Sequence, residues 1–386
     1  MNPTAWLMGV GVAALLLALH PFVSYPLSLW LLRRWRGAVP ARPHAAAAAA
    51  PTFAICTCAY NEARVIEAKL KNLLALREKM PGLDILVYVD KSSDLTSAIC
   101  RRYADRIQLR VSRERTGKTH GMNVLVGLTQ ADIVVFTDAN VMLDPELLQR
   151  LAPHFDDPAV GCVCGNLSYT NAADSVTAQT GSLYWRLEQG IKRLETDTGS
   201  VMGADGSLFA IRRALHHAPP DHIIDDMYVS LRLLCDGHRI VQARDVRAYE
   251  QSVSSMGEEF HRKVRIACQA FNVHRLLWPR LARLPALSLY KYVSHKLLRW
   301  FTIYLLALSY LAFAGAALAA GLPLLAGAMV MALALLWLLG QRFPVRPVSQ
   351  LFDILSAMAG AGLGVWRSLA GERFQTWQPA ASIRKP

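Results

Sequence analysis

Residues Ala131–Asn140 read ADIVVFTDAN, a largely apolar run that ends at a carboxylate and an amide. Such a short run, rich in β-branched residues, predicts a strand buried on both faces. A second run, Asp84–Val89 (DILVYV), ends in the same way at Asp90. Side chains at the carboxyl ends of parallel strands lie in the crevice where open α/β sheets bind ligands. Carboxylates gathered there repel one another unless a cation joins them, so we expect a site for a metal and an anionic substrate.

The segments around these runs alternate between strand and helix patterns. This alternation predicts an α/β fold with a parallel sheet built from βαβ units, up to about residue 140. The predicted strands there are Phe53–Cys58, Asp84–Val89, Ile107–Val111 and Ala131–Thr137, separated by predicted helices at 61–79, 94–105 and 118–129. The pattern changes after residue 160, where we predict strands at Val160–Leu167, within Gly203–Arg213 and at Arg239–Tyr249, and helices at Ser175–Leu194 and Asp225–Leu234.

The N-terminal end of the chain predicts a membrane anchor. Ala5–Leu32 holds no Asp, Glu, Lys or Arg and is longer than the ~20 residues that span a bilayer. A cleaved signal peptide is the alternative, but no basic residue precedes the run and the run is too long for that class. The basic cluster Arg33–Arg36 follows at once, which places the next segment in the cytoplasm by the positive-inside rule.

The C-terminal part of the chain predicts further membrane segments. Trp300–Ala320 and Leu322–Gly340 are apolar stretches that we interpret as a transmembrane hairpin with both ends inside. Leu351–Ala370 contains Asp353, Arg367 and three glycines. It is either a third span or an interfacial or re-entrant helix, and the second interpretation is preferred because the tail that follows is basic.

The net charge of +13 does not require a nucleic-acid partner. Basic and apolar residues share helical spacing in Glu258–Trp278 and Leu287–Arg299, which predicts two amphipathic helices on the inner leaflet. Anionic lipid is the expected partner of these cations, and the sequence holds no nucleic-acid-binding motif. None of the seven cysteines forms a pair with zinc-site spacing, and free thiols suit a reducing cytoplasm.

Two common phosphate-binding motifs are absent from the sequence. Gly117-Lys118-Thr119 resembles the end of a P-loop, but Ser112 stands where that loop requires its first glycine. No G-x-G-x-x-G follows a predicted strand either. The sequence therefore gives no support to an ATP or nicotinamide enzyme.

The polar residues that follow the predicted strands form an ordered series: Tyr60-Asn61-Glu62, Asp90 to Asp94, Gly117-Lys118, Asp138-Ala139-Asn140, Gly203 to Arg213, Asp225-Asp226 and Arg262 to Arg265. In order and spacing this series resembles the family 2 glycosyltransferases, membrane-bound enzymes related to the synthases of cellulose, hyaluronan and poly-N-acetylglucosamine. The resemblance covers about residues 50–280 and the flanking membrane segments. It implies the GT-A (Rossmann-like) fold, with a mixed sheet, helices on both faces, and transmembrane and interfacial helices.

The resemblance implies a site for a nucleotide-diphosphate sugar, with a UDP-sugar as the expected donor. Tyr60, Asn61 and Glu62 match the family's opening turn at the nucleotide pocket. Lys118 is a candidate to contact the phosphates, since its ammonium group offers three donors. Arg262 is a further candidate for binding the nucleotide sugar. The alternative for Lys118 is a solvated helix surface.

The family's next acidic motif usually reads Asp-Asp-Gly-Ser-Thr-Asp and contacts uridine. Asp90 matches its second Asp and Asp94 its last, whereas Val89 replaces the first Asp and Lys91 the Gly. The resemblance thus implies nucleotide contact by Asp90. Asp94 has two open interpretations, as a nucleotide contact or as a helix N-cap.

Asp138-Ala139-Asn140 stands where the family carries Asp-x-Asp, which implies Mg²⁺ or Mn²⁺ at Asp138 and Asn140. A divalent ion there bridges the diphosphate and neutralises charge on the leaving group. Mg²⁺ relies strongly on phosphate oxygens, so one protein carboxylate can suffice. Asn140 departs from the family pattern and offers a neutral oxygen in place of the second carboxylate.

Asp226 matches the family's general base, and Asp225 stands in place of the usual Glu. A carboxylate within reach of a sugar hydroxyl removes its proton as the oxygen attacks the anomeric carbon, which inverts that carbon. The neighbouring Asp225 is expected to raise one pKa of the pair. The alternative is that Asp225 and Asp226 are acidic residues at a helix N-terminus, where they interact favourably with the helix dipole.

The acceptor region departs most from the family. Gly203, Asp205 and Gly206 are the implied acceptor-binding residues. Processive members carry Gln-x-x-Arg-Trp, whereas this chain retains the arginine as Arg265 and has Ile266 in place of the tryptophan. Arg265 is a candidate to stabilise the pyrophosphate. The stacking face of a tryptophan is missing, and the sequence leaves processive synthesis and single addition both open.

The sequence as a whole predicts a multi-pass inner-membrane glycosyltransferase with a cytoplasmic catalytic domain. It would move a hexose or N-acetylhexosamine to a saccharide or lipid-linked acceptor in exopolysaccharide or cell-envelope glycan synthesis. The alternatives are transfer to polyprenyl phosphate or another lipid, and a catalytically silent scaffold of a polysaccharide complex. A polysaccharide-export complex or a homo-oligomer would be the associated assembly.

The expected segments are an anchor at 1–36, a linker at 37–50, the GT-A domain at 51–257, interfacial helices at 258–299, a transmembrane hairpin at 300–340 and a C-terminal helix and tail at 341–386.

Overall fold

The computed structural model describes residues 2–39, 50–171, 176–253, 255–342 and 347–378. Most of the predicted linker and the tail cations Arg384 and Lys385 lie outside these ranges. The described residues form one eight-stranded sheet, whose members are β1 (Phe53–Ala59), β2 (Asp84–Asp90), β3 (Gln108–Ser112), β4 (Ile133–Thr137), β5 (Met142–Leu143), β6 (Val160–Tyr169), β7 (Leu208–Arg212) and β8 (Arg239–Glu250). The strand order is β3-β2-β1-β4-β7-β6-β8-β5.

Thirteen α-helices are formed by the described residues. They are α1 (Pro3–Leu19), α2 (Ser24–Arg36), α3 (Ile66–Lys79), α4 (Thr96–Arg101), α5 (Lys118–Val126), α6 (Leu147–Leu151), α7 (Val176–Asp197), α8 (Asp225–Cys235), α9 (Met256–Leu281), α10 (Ala286–Tyr292), α11 (Leu298–Ala319), α12 (Pro323–Arg342) and α13 (Val348–Leu369). Short 3₁₀ turns at Ala152–Phe155 and Arg213–Leu215 and a π-helical segment at Val293–Leu297 complete the secondary structure.

The central strands are buried on both faces, which explains why they are continuous apolar runs. Alternate side chains of a strand point to opposite faces. In β1, Ala54, Cys56 and Cys58 belong to one apolar layer, packed under α5, α8 and α9, whereas Phe53 and Ile55 belong to the layer under α3 and α6. All seven cysteines are free thiols. Cys56 and Cys58 in β1, and Cys162 and Cys164 in β6, therefore supply small buried side chains to the sheet.

The sheet is mixed, and its strand directions bring distant loops to one edge. The neighbouring strands β2, β1 and β4 run parallel, so their carboxyl ends lie together. Strand β7 is antiparallel to β4, with Thr137 paired to Leu208, so the loop before β7 lies beside Asp138. Strand β8 is parallel to β6 and ends at Glu250 on the same edge. The loops of the sequence series before α9 meet at this edge, except that Arg212 and Arg213 lie at the opposite end of β7, where Arg212 pairs with Ile133.

The predicted elements are present, with differences at their ends. The helix predicted from residue 61 begins at Ile66, because residues 61–65 form a turn that closes over the next loop. The helix predicted over 94–105 is confined to Thr96–Arg101. The side chain of Asp94 accepts hydrogen bonds from the backbone and hydroxyl of Thr96. Leu95 is the N-cap residue of α4, so Asp94 lies one position before the cap and also accepts from the N–H of Ala63.

The N-terminal apolar run is not one straight helix, contrary to the simplest interpretation of Ala5–Leu32. Helices α1 and α2 meet at an angle of 59°. The break holds Pro21, whose missing N–H cannot continue the hydrogen-bond ladder of α1. The pair is a candidate span only if both halves are counted as one broken span or a re-entrant loop.

Three further helical segments are long and apolar enough to cross a membrane: Ala286–Ala319, Pro323–Gly340 and Val348–Leu369. The first is one run of 34 residues, so the structure has no break at the predicted boundary between interfacial and transmembrane residues at 299 and 300. Helix α13 packs against α9, with Gly364 lying directly on Val264 and Ala267. Its position relative to a bilayer stays a prediction.

A buried ionic network joins the N-terminal helices to the region that carries the sheet. Tyr25 donates to Glu195 at 2.5 Å, and Nδ1 of His295 lies 2.7 Å from the same carboxylate. Nε2 of His295 lies 3.0 Å from Glu188, which also pairs with Arg299. A buried carboxylate is tolerated only when it is paired and hydrogen-bonded. The network therefore fixes how α2, α7 and the helix that begins at Ala286 meet.

Candidate active site

A backbone loop before α5 is shaped by a fully buried carboxylate. Asp90, the last residue of β2, accepts hydrogen bonds from the N–H groups of Thr116 at 2.7 Å and Gly117 at 3.1 Å. Nε of Arg115 lies 3.5 Å from the same carboxylate. Asp90 thus acts on the pocket through the loop that carries Lys118. Its predicted contact with a nucleotide stays a prediction.

The turn after β1 is tied to the loop after β2. Asn61 has a φ of +52°, a left-handed conformation that Asn tolerates better than most residues. Its side-chain oxygen accepts a hydrogen bond from the N–H of Ser93 at 2.8 Å. The N–H of Glu62 donates to Thr96, and the side chain of Glu62 is buried. Asn61 and Glu62 therefore build the pocket wall, and Tyr60 is the member of this turn whose ring faces other groups of the site.

The C-terminal strap, residues 372–378, covers this wall, and sequence reasoning did not anticipate it. The guanidinium of Arg115 lies 3.1 Å from the ring centroid of Tyr60 and donates to the carbonyl of Trp377. The ring of Trp377 meets that of Tyr60 edge to face. Gly117, at φ +94°, lies so close to Gln375 that a Cβ there would collide with the Gln375 carbonyl. The strap and the loop before α5 are therefore fitted to one another.

Four charged side chains converge where β4 ends and α5 and α8 begin. Nζ of Lys118 lies 2.7 Å from Asp138 and 3.9 Å from Asp225. Burial alone would lower the pKa of Lys118, but Asp138, Asp225 and Asp226 together raise it above its ordinary value. The structure thus brings Lys118, Asp138, Asp225 and Asp226 together, as the sequence predicts.

Asp226 has the environment of a general base. Burial and the adjacent Asp225 raise the pKa of Asp226 to about 7, against the opposing charge of Lys118. One oxygen of Asp226 accepts from the N–H of Met227 in the first turn of α8, at 2.6 Å. The other faces Gly206: a Cβ on that glycine would lie 2.9 Å from it. A carboxylate with a pKa near neutrality is well matched to proton transfer at physiological pH.

The loop before β7 lies beside both Lys118 and Asp226. Gly206 lets the chain approach both Lys118 and Asp226, since a side chain there would contact both. Asp205 forms an ion pair with the buried Lys192 of α7. Gly203 has a φ of +104° and lies above the start of α8. The predicted acceptor residues are therefore next to the candidate base, and their role stays a prediction.

Helix α9 directs two arginines toward the same cleft. Arg262 pairs with Glu259 at 3.2 Å. Arg265 forms no ion pair within the described ranges, and its guanidinium donates to Gln269. Burial and the nearby Arg262 lower the pKa of Arg265 to about 10, while Asp138 and Asp226 act in the opposite direction. A desolvated cation without a bound carboxylate is suited to receive an anionic ligand.

The amide of Asn140 is held by a carboxylate that sequence reasoning missed. Nδ2 of Asn140 donates to Glu250 at 2.9 Å, and the hydroxyl of Ser207 donates to the other oxygen of Glu250 at 3.2 Å. Burial raises the pKa of Glu250, Arg262 opposes that effect, and Asp138 adds to it. The only sequence signal was indirect: residue 140 is neutral where the family pattern has a charge.

The donor set fits Mg²⁺ or Mn²⁺ that relies on phosphate oxygens. Asp138 offers a carboxylate and Asn140 an amide oxygen, which are hard ligands of the kind these ions prefer. Asp225 is only 3% exposed, and its Oδ2 has no hydrogen-bond partner. No three His, Cys, Asp or Glu side chains form a metal-binding group in the described part of the chain. A cation here would therefore need ligands from a diphosphate.

The order of these residues matches a known protein family. The family profile described as "Glycosyltransferase like family 2" matches residues 50–269, which is more than half of the chain. The chain belongs to this family. The matched region holds every element that builds the cleft from β1 to the first half of α9, including Asp138, Asp226 and Arg265.

Two curated members of the glycosyltransferase family share moderate sequence similarity with the chain. The poly-β-1,6-N-acetyl-D-glucosamine synthase of Staphylococcus aureus strain COL is 28% identical over 191 residues, which is 47% of this chain and 45% of that protein. An N-acetylglucosaminyltransferase of Rhizobium leguminosarum bv. viciae is 24% identical over 250 residues, or 60% of this chain and 58% of that protein. The chain thus spans about half the length of the curated relatives it matches.

A solved structure supports the fold over nearly the whole chain. A mannosyltransferase from Pyrobaculum calidifontis, in complex with GDP-Man and Mn²⁺, has a TM-score of 0.72 and covers 95% of this chain and 99% of its own. At 22% sequence identity this likeness shows the fold alone. The predicted family and the predicted GT-A fold, a mixed sheet with helices, are confirmed. The roles of individual site residues stay predictions.

Proposed function

We propose that this glycosyltransferase is a membrane-bound inverting enzyme that takes its sugar from a nucleotide-diphosphate donor. The sugar would be a hexose or N-acetylhexosamine and the acceptor a saccharide or lipid-linked glycan. The observation that carries the proposal is the convergence of Lys118, Asp138, Asp226 and Arg265 on one cleft. The relatives named for N-acetylglucosamine transfer support an N-acetylhexosamine donor.

The donor would lie with its nucleobase against the wall formed by Tyr60, Arg115 and Trp377. Arg115 and both rings already pack on one another, which offers a cation and aromatic faces to a nucleobase. The diphosphate would then extend toward Lys118 and Arg265, which supply positive charge. A divalent cation held by Asp138 and Asn140 would neutralise charge on the departing diphosphate.

The transfer would be a single displacement with Asp226 as the base. The acceptor hydroxyl lies between Asp226 and the anomeric carbon, and its proton passes to Asp226 as the new C–O bond forms. The bond from the anomeric carbon to the diphosphate oxygen breaks on the opposite face, and the nucleoside diphosphate leaves with that electron pair. Attack from the face opposite the leaving group inverts the anomeric centre, so an α-linked donor gives a β-linked product.

A donor screen with product mass analysis tests this proposal. The purified full chain in detergent, with Mn²⁺ and a panel such as UDP-GlcNAc, UDP-glucose and GDP-mannose, should release nucleoside diphosphate from one class of donor. The acceptor should gain one sugar mass per diphosphate released. A ladder of masses would indicate processive synthesis, and a single added mass would indicate one transfer. No release with any donor and acceptor would contradict the proposal and favour the scaffold alternative.

The pH dependence should report the raised pKa of Asp226. The base works only when ionised, so kcat/KM should rise with pH and level off above an inflection near pH 7. Asp225→Asn removes a negative charge that raises this pKa, so the inflection should move to lower pH. The measurement is kcat/KM for the donor between pH 5.5 and 9. An inflection that stays in place in the Asp225→Asn variant would contradict the assignment.

The strap should contribute to donor binding. Trp377→Ala removes an aromatic and cation contact of the kind worth about 1–2 kcal/mol, so the donor KM should rise about tenfold. The matched control is Trp35→Ala, which removes a highly exposed tryptophan of α2 and should leave the donor KM unchanged. Equal KM values for the wild type and Trp377→Ala would show that the strap does not form the donor pocket.

A further inference from the structure

We propose that Glu250 is a positioning residue for the cation site and makes up for the missing second carboxylate of the Asp138-Ala139-Asn140 motif. Glu250 accepts a hydrogen bond from the amide nitrogen of Asn140, which leaves the amide oxygen of Asn140 free to bind the cation. The carboxylate of Glu250 also places a negative charge one hydrogen bond away from residue 140. This inference rests on the proposed function, because it assigns a role at the same donor site.

The orientation of the Asn140 amide is set by its contact with Glu250. Nδ2 of Asn140 lies 2.9 Å from the carboxylate and donates to it. A carboxylate oxygen is an acceptor, so it favours the amide nitrogen on this side. The carbonyl oxygen then points away from Glu250, and it receives no hydrogen bond from the described residues. An amide oxygen is a suitable ligand for a hard divalent cation.

The charge of Glu250 is balanced only at a distance by the cations of the protein. Glu250 is only 8% exposed, and it forms no ion pair with a Lys, Arg or His of the described residues. Arg262 acts on it electrostatically, but the ion pair of Arg262 is with Glu259. The two groups that contact the carboxylate, Asn140 and Ser207, are neutral donors. Because a buried carboxylate without a close ion partner is costly to desolvate, a cation bound beside Asp138 would stabilise Glu250 further.

The fold explains how a residue 110 positions away reaches the site. Strand β8 runs parallel to β6, and Glu250 is its last residue, opposite Tyr169. This places Glu250 at the carboxyl edge where β4 delivers Asp138 and Asn140. Ser207 connects the same carboxylate to the loop that carries Gly206, which lies against Asp226. Groups that orient metal ligands in this way typically change metal affinity by about 10–100-fold when they are replaced.

The test is Mn²⁺ binding by the full chain in detergent with saturating UDP, followed by the electron paramagnetic resonance signal of free Mn²⁺. Glu250→Gln keeps the side-chain shape and removes the charge, and it should weaken Mn²⁺ binding about tenfold. In the double variant Asn140→Asp with Glu250→Gln, the Gln amide can donate to the new carboxylate. That exchange should restore the affinity to within about threefold of the wild type.

The single variant Asn140→Asp completes the cycle. With Glu250 still present, the introduced carboxylate would face a like charge without a donor, so the Mn²⁺ affinity of this variant should not exceed that of the wild type. An equal gain from Asn140→Asp in both backgrounds would overturn the inference, because the two positions would then act independently. Unchanged Mn²⁺ affinity in Glu250→Gln would also overturn it.

Two controls separate the possible failures. Ser207→Ala removes the other donor to Glu250 without touching Asn140, and it should weaken Mn²⁺ binding much less than Glu250→Gln. Equal losses of Mn²⁺ affinity in these two variants would indicate that Glu250 acts by holding the loop before β7. That result would overturn the inference. If the wild type itself binds no Mn²⁺ with UDP, the metal role in the proposed function fails. Binding by the wild type that Glu250→Gln leaves intact contradicts only the inference.

Discussion

Asp226→Asn is expected to lower the turnover number by about 10²–10⁴ at pH 8, where the wild-type base is ionised. The variant cannot accept the acceptor proton, whereas the wild-type carboxylate has a pKa raised to about 7 by burial and by Asp225. The Asn side-chain oxygen can still accept the hydrogen bond from the N–H of Met227, so the start of α8 should be preserved. The measurement is steady-state release of nucleoside diphosphate.

Donor binding distinguishes loss of the base from loss of the fold. The donor dissociation constant of Asp226→Asn should stay within about threefold of the wild type, because we propose that Asp226 acts on the acceptor and not on the donor. Asp236→Asn is the matched control: Asp236 follows α8 at its other end, where it pairs with Arg232, and its turnover should be close to normal. Turnover of Asp226→Asn within tenfold of the wild type would show that another group is the base.

Asp138→Asn is expected to abolish metal-dependent turnover, with a loss of about a thousandfold or more. Stabilisation of the leaving diphosphate by a cation is worth several kcal/mol, and each 1.36 kcal/mol is a factor of ten in rate. The substitution also removes the 2.7 Å ion pair with Lys118, which would leave that lysine with Asp225 and Asp226 as its remaining carboxylate neighbours. Turnover should be measured across a Mn²⁺ titration, and excess Mn²⁺ should not restore it.

The control for this substitution lies at the other end of the same run. Asp132 precedes β4 and accepts hydrogen bonds from Thr52, far from the carboxyl edge of the sheet. Asp132→Asn should change turnover less than threefold. Near-normal turnover of Asp138→Asn at saturating Mn²⁺ would exclude Asp138 as the residue through which the cation acts.

The part of the site that the sequence predicts is the part that follows from strand direction. Asp90 and Asp138 each follow an apolar run, and parallel strands bring their ends together whatever the intervening residues are. Lys118 was identified through its place in the family's ordered series and lies at the start of α5 beside those ends. Local pattern and sheet geometry were sufficient for Asp90 and Asp138 alone.

The parts that escaped prediction depend on contacts between distant segments. Trp377 contacts Arg115 across 262 residues, and no sequence pattern in either segment indicates that the two meet. Glu250 needed the parallel pairing of β8 with β6, which no local pattern specifies. Tertiary contacts decided both of these features.

The most direct test of the account is the position of Mn²⁺ and donor in the Asp226→Asn variant, determined by structure with UDP-GlcNAc or GDP-mannose bound. We expect Mn²⁺ coordinated by Asp138 and the donor diphosphate, the nucleobase beside Tyr60 and Trp377, and residue 226 facing the anomeric carbon from the side opposite the diphosphate. A bound donor whose diphosphate or cation lies away from Asp138, or whose anomeric carbon is out of reach of residue 226, would contradict it.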